Sequence, residues 1–350
     1  MISGNKKRNN RIRSVLNYTL PVLLSIVFLY IAFYNSDLNK VFQFVSHPSL
    51  FWIIIFILST LLSHFLRAVR WKVILHSVKK DVSVKNAFGA VMIGYGVNFV
   101  VPRVGEISRA ALIGKWEGLS KSSMFGTVIV ERVIDVIFLG LTLLLSVYLS
   151  NDLFISFPWL KSTLYVTFVL MLIAILFLYF TIRLKEKFYS IIIKVVSRFS
   201  VKLAANAAHI FEMLTEGFAS LKGTRNYILT ILLSVGIIFI YALTAYIGFF
   251  TLGMQDMGIP VNFKLGWILM SISAIGTVIP TPGGTGSYHA LAKSVLVLFG
   301  FGLNISLAYA FLTHIISFFL IIFLALISFF LLNKQHIKLL EVVKPDPEVL

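Results

Sequence analysis

The stretches NFVVPRVGEISRAAL, residues 98–112, and TVIPTPGGTGSYHAL, residues 277–291, decide how this chain is read. Each is an apolar segment that stops at a proline, turns through Pro-x-x-Gly (Pro102 to Gly105, Pro280 to Gly283) and resumes with helical character. Proline removes a backbone donor and glycine relaxes the backbone, so neither stretch continues as one unbroken lipid-exposed helix. Backbone freed inside a bilayer has to be sheltered by protein or line a wet cavity. Interrupted apolar segments at matching places in two halves point to a transporter-type binding site.

Bulk composition agrees. With 58% hydrophobic residues, 13% charged residues and a mean hydropathy of +0.92, the 350 residues require the bilayer as solvent for most of the chain. The net charge of +17 gathers at segment ends and in a few connections, which is a positive-inside pattern. Basic and aromatic residues do not interleave on a polar face, so a nucleic-acid partner is not expected. The absence of cysteine excludes disulfides, thiolate metal sites and cysteine nucleophiles.

Charge parity then sets a topology. Lys6, Lys7, Arg8, Arg11 and Arg13 precede an apolar run ending near Tyr34, a first span with its N-terminus in the cytoplasm, and only Asp37 and Lys40 occupy the outer connection. Residues 50–66 return to a basic inner cluster, Arg67, Arg70, Lys72, Lys79 and Lys80. If residues 84–101 crossed fully, Arg103, Arg109, Lys115 and Lys121 would lie outside, and so would the basic stretch 183–225; a hairpin over 84–116 that enters and returns avoids both violations. Spans at 122–150 and 164–182 follow. Residues 183–226 then form an amphipathic connection on the inner leaflet. Residues 227–252, a second hairpin at 265–300, a span at 305–332 and a cytoplasmic C-terminus marked by Lys334 and Lys338 complete the chain. The expected fold is an all-α polytopic membrane protein with about six full spans plus two re-entrant helical hairpins in an inverted repeat, 18–150 against 162–332.

Charges inside the apolar segments nominate the site. Glu131, Arg132 and Asp135 lie well inside a span, where each charge costs about 2.5–3.5 kcal/mol unless paired or wetted. Arg132 and Asp135 are three apart and pair along the helix; Glu131 and Asp135 share a face, so Glu131 needs a partner from Arg67, Arg103 or Arg109. His64, Arg67 and Trp71 share a stripe with Arg70 beside it, and Asn98, Arg103, Glu106 and Arg109 belong to the first prolyl turn and the helix it opens. Converging guanidiniums suit bidentate phosphate recognition. In the second turn, Gly283, Gly284 and Gly286 lead into a helix near Ser287, an arrangement that offers N–H groups to an anion, with His289 and Lys293 four apart beside it.

These motifs resemble the lysylphosphatidylglycerol synthase/flippase transmembrane family, the membrane half of multiple-peptide-resistance factors. The matching runs are LRAVRW at 66–71, NFVVPRVGEISRAALI at 98–113, VIVERVIDV at 128–136 and IPTPGGTGSYHA at 279–290. The resemblance implies a lipid-translocating module for aminoacylated phosphatidylglycerol or a related lipid. No amino-acid-transferring domain follows Leu332, so synthesis of the lysyl-lipid is not implied.

The expectation is therefore a non-enzymatic, flippase-like transporter in the inner (cytoplasmic) membrane, moving an anionic or aminoacylated phospholipid or a polyprenyl-linked lipid. Its substrate-binding candidates are Arg67, Arg70, Asn98, Arg103, Glu106, Arg109, Glu131, Arg132, Asp135, Gly283, Gly284, Ser287, His289 and Lys293. No catalytic residue, metal or cofactor is expected, and no Walker-type loop is present to bind ATP. Partners are lipids with anionic headgroups, with a separate lipid-modifying enzyme and a second copy of the chain as further candidates. The alternatives are a membrane-embedded transferase using Glu131 or Asp135 as base, and a non-catalytic subunit that docks a synthase.

Overall fold

The computed structural model describes residues 19–76, 78–150, 152–183 and 223–332, together with 190, 193–198, 200 and 208. The basic N-terminal residues, most of the amphipathic connection expected over 183–226, and Lys334 and Lys338 lie outside the described residues. Among the described residues every regular element is helical and no strand occurs. The helices are α1 (Thr19–Phe33), α2 (Leu38–Ser46), α3 (Leu50–Leu75), α4 (Val84–Val100), α5 (Val104–Glu117), α6 (Lys121–Leu149), α7 (Asp152–Ser156), α8 (Pro158–Arg183), α9 (Thr224–Thr251), α10 (Phe263–Val278), α11 (Ser287–Leu298) and α12 (Leu303–Leu332).

Three of these, α3, α9 and α12, are long and apolar enough to cross a membrane. The pair α1 and α2, bent by 88°, makes a fourth if counted as one span. The residues expected to form a short outer connection are helical in α2 because Asp37 caps it, its carboxylate accepting from the N–H groups of Asn39 and Lys40. Helix α3 also runs nine residues beyond the expected end at Leu66, through Arg67, Arg70 and Trp71. Those side chains are buried and paired, so their charge does not end the helix.

The chain divides into two compact units. Unit 1 takes the described residues of Met1–Leu58, Tyr95–Gly105 and Ala242–Phe323; unit 2 takes those of Ser59–Gly94, Glu106–Tyr241 and Leu324–Leu350. Inside unit 1, α10 and α11 pack closely as a helical hairpin: a Cβ at Gly276 would lie 2.9 Å from the backbone of Ser287, so only glycine permits this approach. Ser287, fully buried, donates its hydroxyl to the Gly276 carbonyl at 2.6 Å. At the open end of this hairpin Ile259 lies against Gly300. Trp52 stacks on Phe250 at 4.6 Å, and the Tyr309 hydroxyl donates to the Ala245 carbonyl at 2.6 Å.

Inside unit 2, α6 packs along α8, and the start of α4 meets the end of α5. Glu117, the last residue of α5, accepts from the Ser83 N–H (3.1 Å), from Asn86 Nδ2 (2.8 Å) and from Lys79 Nζ (2.7 Å). The chain therefore leaves α5 beside the point where it entered α4. At 17 and 14 residues and about 1.5 Å per residue, neither helix alone reaches the roughly 30 Å of a hydrocarbon core.

Candidate functional site

In unit 2 the charges of α3, α5 and α6 meet in one nest. Glu131 and Asp135, one turn apart on α6, point the same way, and Arg67 and Arg70 on α3 reach both. Arg67 Nη1 donates to Glu131 Oε1 (3.0 Å) and Asp135 Oδ2 (2.9 Å). Arg70 Nη2 donates to Glu131 Oε1 (2.9 Å) and Asp135 Oδ1 (2.6 Å), while its Nη1 donates to Ser234 Oγ on α9 (3.0 Å). Arg109 on α5 brings Nη2 within 2.8 Å of the other Glu131 oxygen, Oε2. Its guanidinium lies over the Trp71 ring, 4.8 Å from the centroid, and Trp71 Nε1 donates to Thr127 Oγ1 at 3.1 Å.

Burial explains why each of these guanidiniums lies against a carboxylate. The Glu131 side chain has no exposure, and those of Arg70, Arg109 and Arg67 have 2%, 3% and 8%. An unpaired charge in such a place is costly, and removal of one member of a buried pair costs about 3–5 kcal/mol. The inner set holds three guanidiniums against two carboxylates, one positive charge in excess.

Two further charges, Arg132 and Glu106, form a rim, with Arg132 Nη2 3.7 Å from Glu106 and Nη1 3.5 Å from Asp135. The rim is where the nest opens: side-chain exposure is 39% for Arg132, 23% for Glu106 and 21% for Asp135. At the hairpin base, burial pushes the Glu117 carboxyl up. The hydrogen bonds from Lys79, Asn86 and the Ser83 N–H outweigh it and hold the group below its ordinary value.

The remaining candidates lie in unit 1 and shape its turns. Asn98 Oδ1 accepts from the Gly105 N–H at 2.8 Å, capping the start of α5 from the preceding helix. Arg103 adopts φ 67°, the left-handed conformation that closes the turn, and its exposed guanidinium donates to the Val278 carbonyl at 3.3 Å. In the second turn a Cβ at Gly283 would run into the Phe99 ring, and one at Gly286 would come within 2.6 Å of the Ser25 carbonyl of α1. The Gly286 N–H is taken by His289 Nδ1 at 3.2 Å. Lys293 places Nζ on the Ala32 carbonyl (2.7 Å), the Tyr34 carbonyl (2.9 Å) and Ser36 Oγ (2.8 Å), so its ammonium caps the C-terminus of α1. His289 and His314 lie 4.6 Å apart by ring centroids, with Tyr288 against His314 and its hydroxyl 3.0 Å from Thr313 Oγ1.

Of the sequence candidates, Arg67, Arg70, Glu106, Arg109, Glu131, Arg132 and Asp135 come together in unit 2. Asn98, Arg103, Gly283, Gly284, Ser287, His289 and Lys293 belong to unit 1 and are engaged in the capping and packing of its turns. Ser234 and Glu117 were not singled out by sequence. Glu117 carried a signal, a carboxylate that can answer Lys79 across a closed hairpin, whereas Ser234 is one hydroxyl in an apolar helix and carried none.

Residues 18–325 match the family described as the lysylphosphatidylglycerol synthase TM region. A UPF0104 membrane protein of Methanocaldococcus jannaschii is 34% identical over 130 residues, covering 36% of this chain and 38% of that protein. One of Methanothermobacter thermautotrophicus is 26% identical over 269 residues, covering 72% of this chain and 77% of its own. The match thus spans little more than a third of the first relative and about three quarters of the second. No solved structure matches the chain. The helical content, the apolar spans and this match over most of the sequence make the chain a membrane protein that belongs to the lysylphosphatidylglycerol synthase TM region family.

Proposed function

We propose that this protein is a flippase-like transporter that moves an anionic or aminoacylated phospholipid, or a polyprenyl-linked lipid, across the cytoplasmic membrane, with about six spans and two re-entrant hairpins in an inverted repeat. The observation that carries the reading is the nest: a carboxylate with no solvent exposure held by three guanidiniums, opening on one side to the part-exposed Arg132, Glu106 and Asp135. The excess positive charge draws a lipid phosphate. Arg132 is the group that receives it, because at 39% side-chain exposure it is the most open of the guanidiniums in the set. Glu106, part-exposed at the rim, supplies the counter-charge for the amine of an aminoacylated headgroup. The lipid tails stay in the bilayer throughout.

The reading is non-enzymatic. Glu131 Oε1 and both Asp135 oxygens accept guanidinium N–H groups and Glu131 Oε2 is ion-paired with Arg109, an arrangement that holds both carboxylates ionised and suits charge pairing better than a general base. Reconstitution into vesicles with fluorescent phosphatidylglycerol tests the transport. Arg132→Ala is expected to slow translocation about tenfold, the loss of one charge-assisted contact of about 1.5 kcal/mol. A flip rate equal to that of wild type for Arg132→Ala and for Glu106→Gln would remove the proposed site.

A further inference from the structure

Unit 2 carries an open groove of about 510 Å³ between α3 and α4, lined by Leu61, Leu62, Phe65, Val84, Lys85 and Phe88. We propose that this groove holds one phospholipid with an anionic headgroup, its phosphate on Lys85 and an acyl chain along Leu62, Phe65 and Phe88. Leu62 and Phe65 are 44% and 47% exposed, so no described part of this chain covers the apolar wall. Lys85 is exposed at the rim, and no carboxylate pairs with it among the described residues.

An ammonium set among five apolar side chains on a membrane helix lacks a counter-charge, and its long stem either lifts the charge to water or finds an anion. A phospholipid supplies both missing parts in one molecule, an anion for Lys85 and a hydrocarbon chain for the groove. A second copy of this chain fits less well, because at a net charge of +17 it brings repulsion to a basic rim. The site is separate from the nest and stands whether or not the nest moves lipid.

The test uses phosphatidylglycerol carrying a diazirine in one acyl chain, irradiated with the purified full chain in nanodiscs of phosphatidylcholine, with adducts mapped by peptide sequencing. Adducts are expected on the α3 and α4 segments that line the groove. They should fall about fivefold in Lys85→Ala, the effect of one near-surface cation on an anionic lipid, and persist in Lys85→Arg. Leu62→Trp, which fills the groove and keeps Lys85, should remove them too, whereas Lys264→Ala, at an exposed lysine of unit 1, should not. Equal labelling by a diazirine phosphatidylcholine, undiminished labelling in Lys85→Ala, or cross-links from the groove to a second copy of the chain would each overturn the proposal.

Discussion

Glu131 has guanidinium nitrogens at both carboxylate oxygens, so removing its charge leaves Arg67, Arg70 and Arg109 facing one another without a common anion. Glu131→Gln is expected to lower stability by about 3–5 kcal/mol, the range for breaking a buried pair from one side. Asp135→Asn, at the partly exposed edge, is expected to cost about 1.5–3 kcal/mol, the scale of hydrogen bonds to a charged group. Unfolding in detergent measures both, and equal losses would mean that the edge is as closed as the centre. That Glu131 requires a partner outside its own helix was legible from its place in an apolar span. Of the three candidate partners Arg67 and Arg109 reach it, Arg103 donates instead to the Val278 carbonyl, and Arg70, beside the stripe, is the further donor, at 2.9 Å. Ser234 was illegible for a further reason. Its hydroxyl donates to the Thr230 carbonyl one turn back, as any serine in an apolar helix does, and its acceptance from Arg70 depends on packing between distant segments.

Among the elements, the α4–α5 hairpin depends on Glu117, where one carboxylate ties Lys79, Ser83 and Asn86 together. Its carboxyl titrates below the ordinary value of 4.5 in the folded protein. A group depressed on folding stabilises fully above its unfolded value and loses that contribution as pH falls through its folded value. The thermal stability of wild type should therefore exceed that of Glu117→Gln at neutral pH, with the gap closing as pH drops below 4.5. A constant gap across that range would show that Glu117 acts by shape rather than charge. The breaks that define both hairpins were legible because proline and glycine act locally. The glycine turn read as an anion cradle packs closely against Phe99 and the backbone of α1, which a sequence cannot reveal, since these neighbours are remote in the chain. Lys293 illustrates the same limit: its spacing from His289 placed it on a face, and only the fold shows that the C-terminus of α1 occupies that face.

For the whole molecule, sidedness is the property on which a transport reading rests. Lys80 and Ser120 are exposed and flank α4 and α5, so as single cysteines both should react with an impermeant maleimide from the same face of a sealed vesicle. Asp256 and Gly302, which flank α10 and α11, should likewise behave as a pair. Reaction of either pair from opposite faces would replace a re-entrant hairpin with a broken span. Membrane character and family were readable from hydropathy and from motifs spread over both halves, because lipid imposes composition everywhere. The division into two units was not readable, since both draw residues from α3, α4, α5, α9 and α12 and the chain passes repeatedly from one to the other.

The ammonium of Lys293 also sets an order of events during synthesis. The carbonyl of Tyr34 precedes it by 259 residues, so at ribosomal rates of about 5–20 residues per second the first helix waits on the order of 10–50 s for that ammonium to be made. Through that interval any partner already in the membrane has first access to the bare carbonyls at the end of α1.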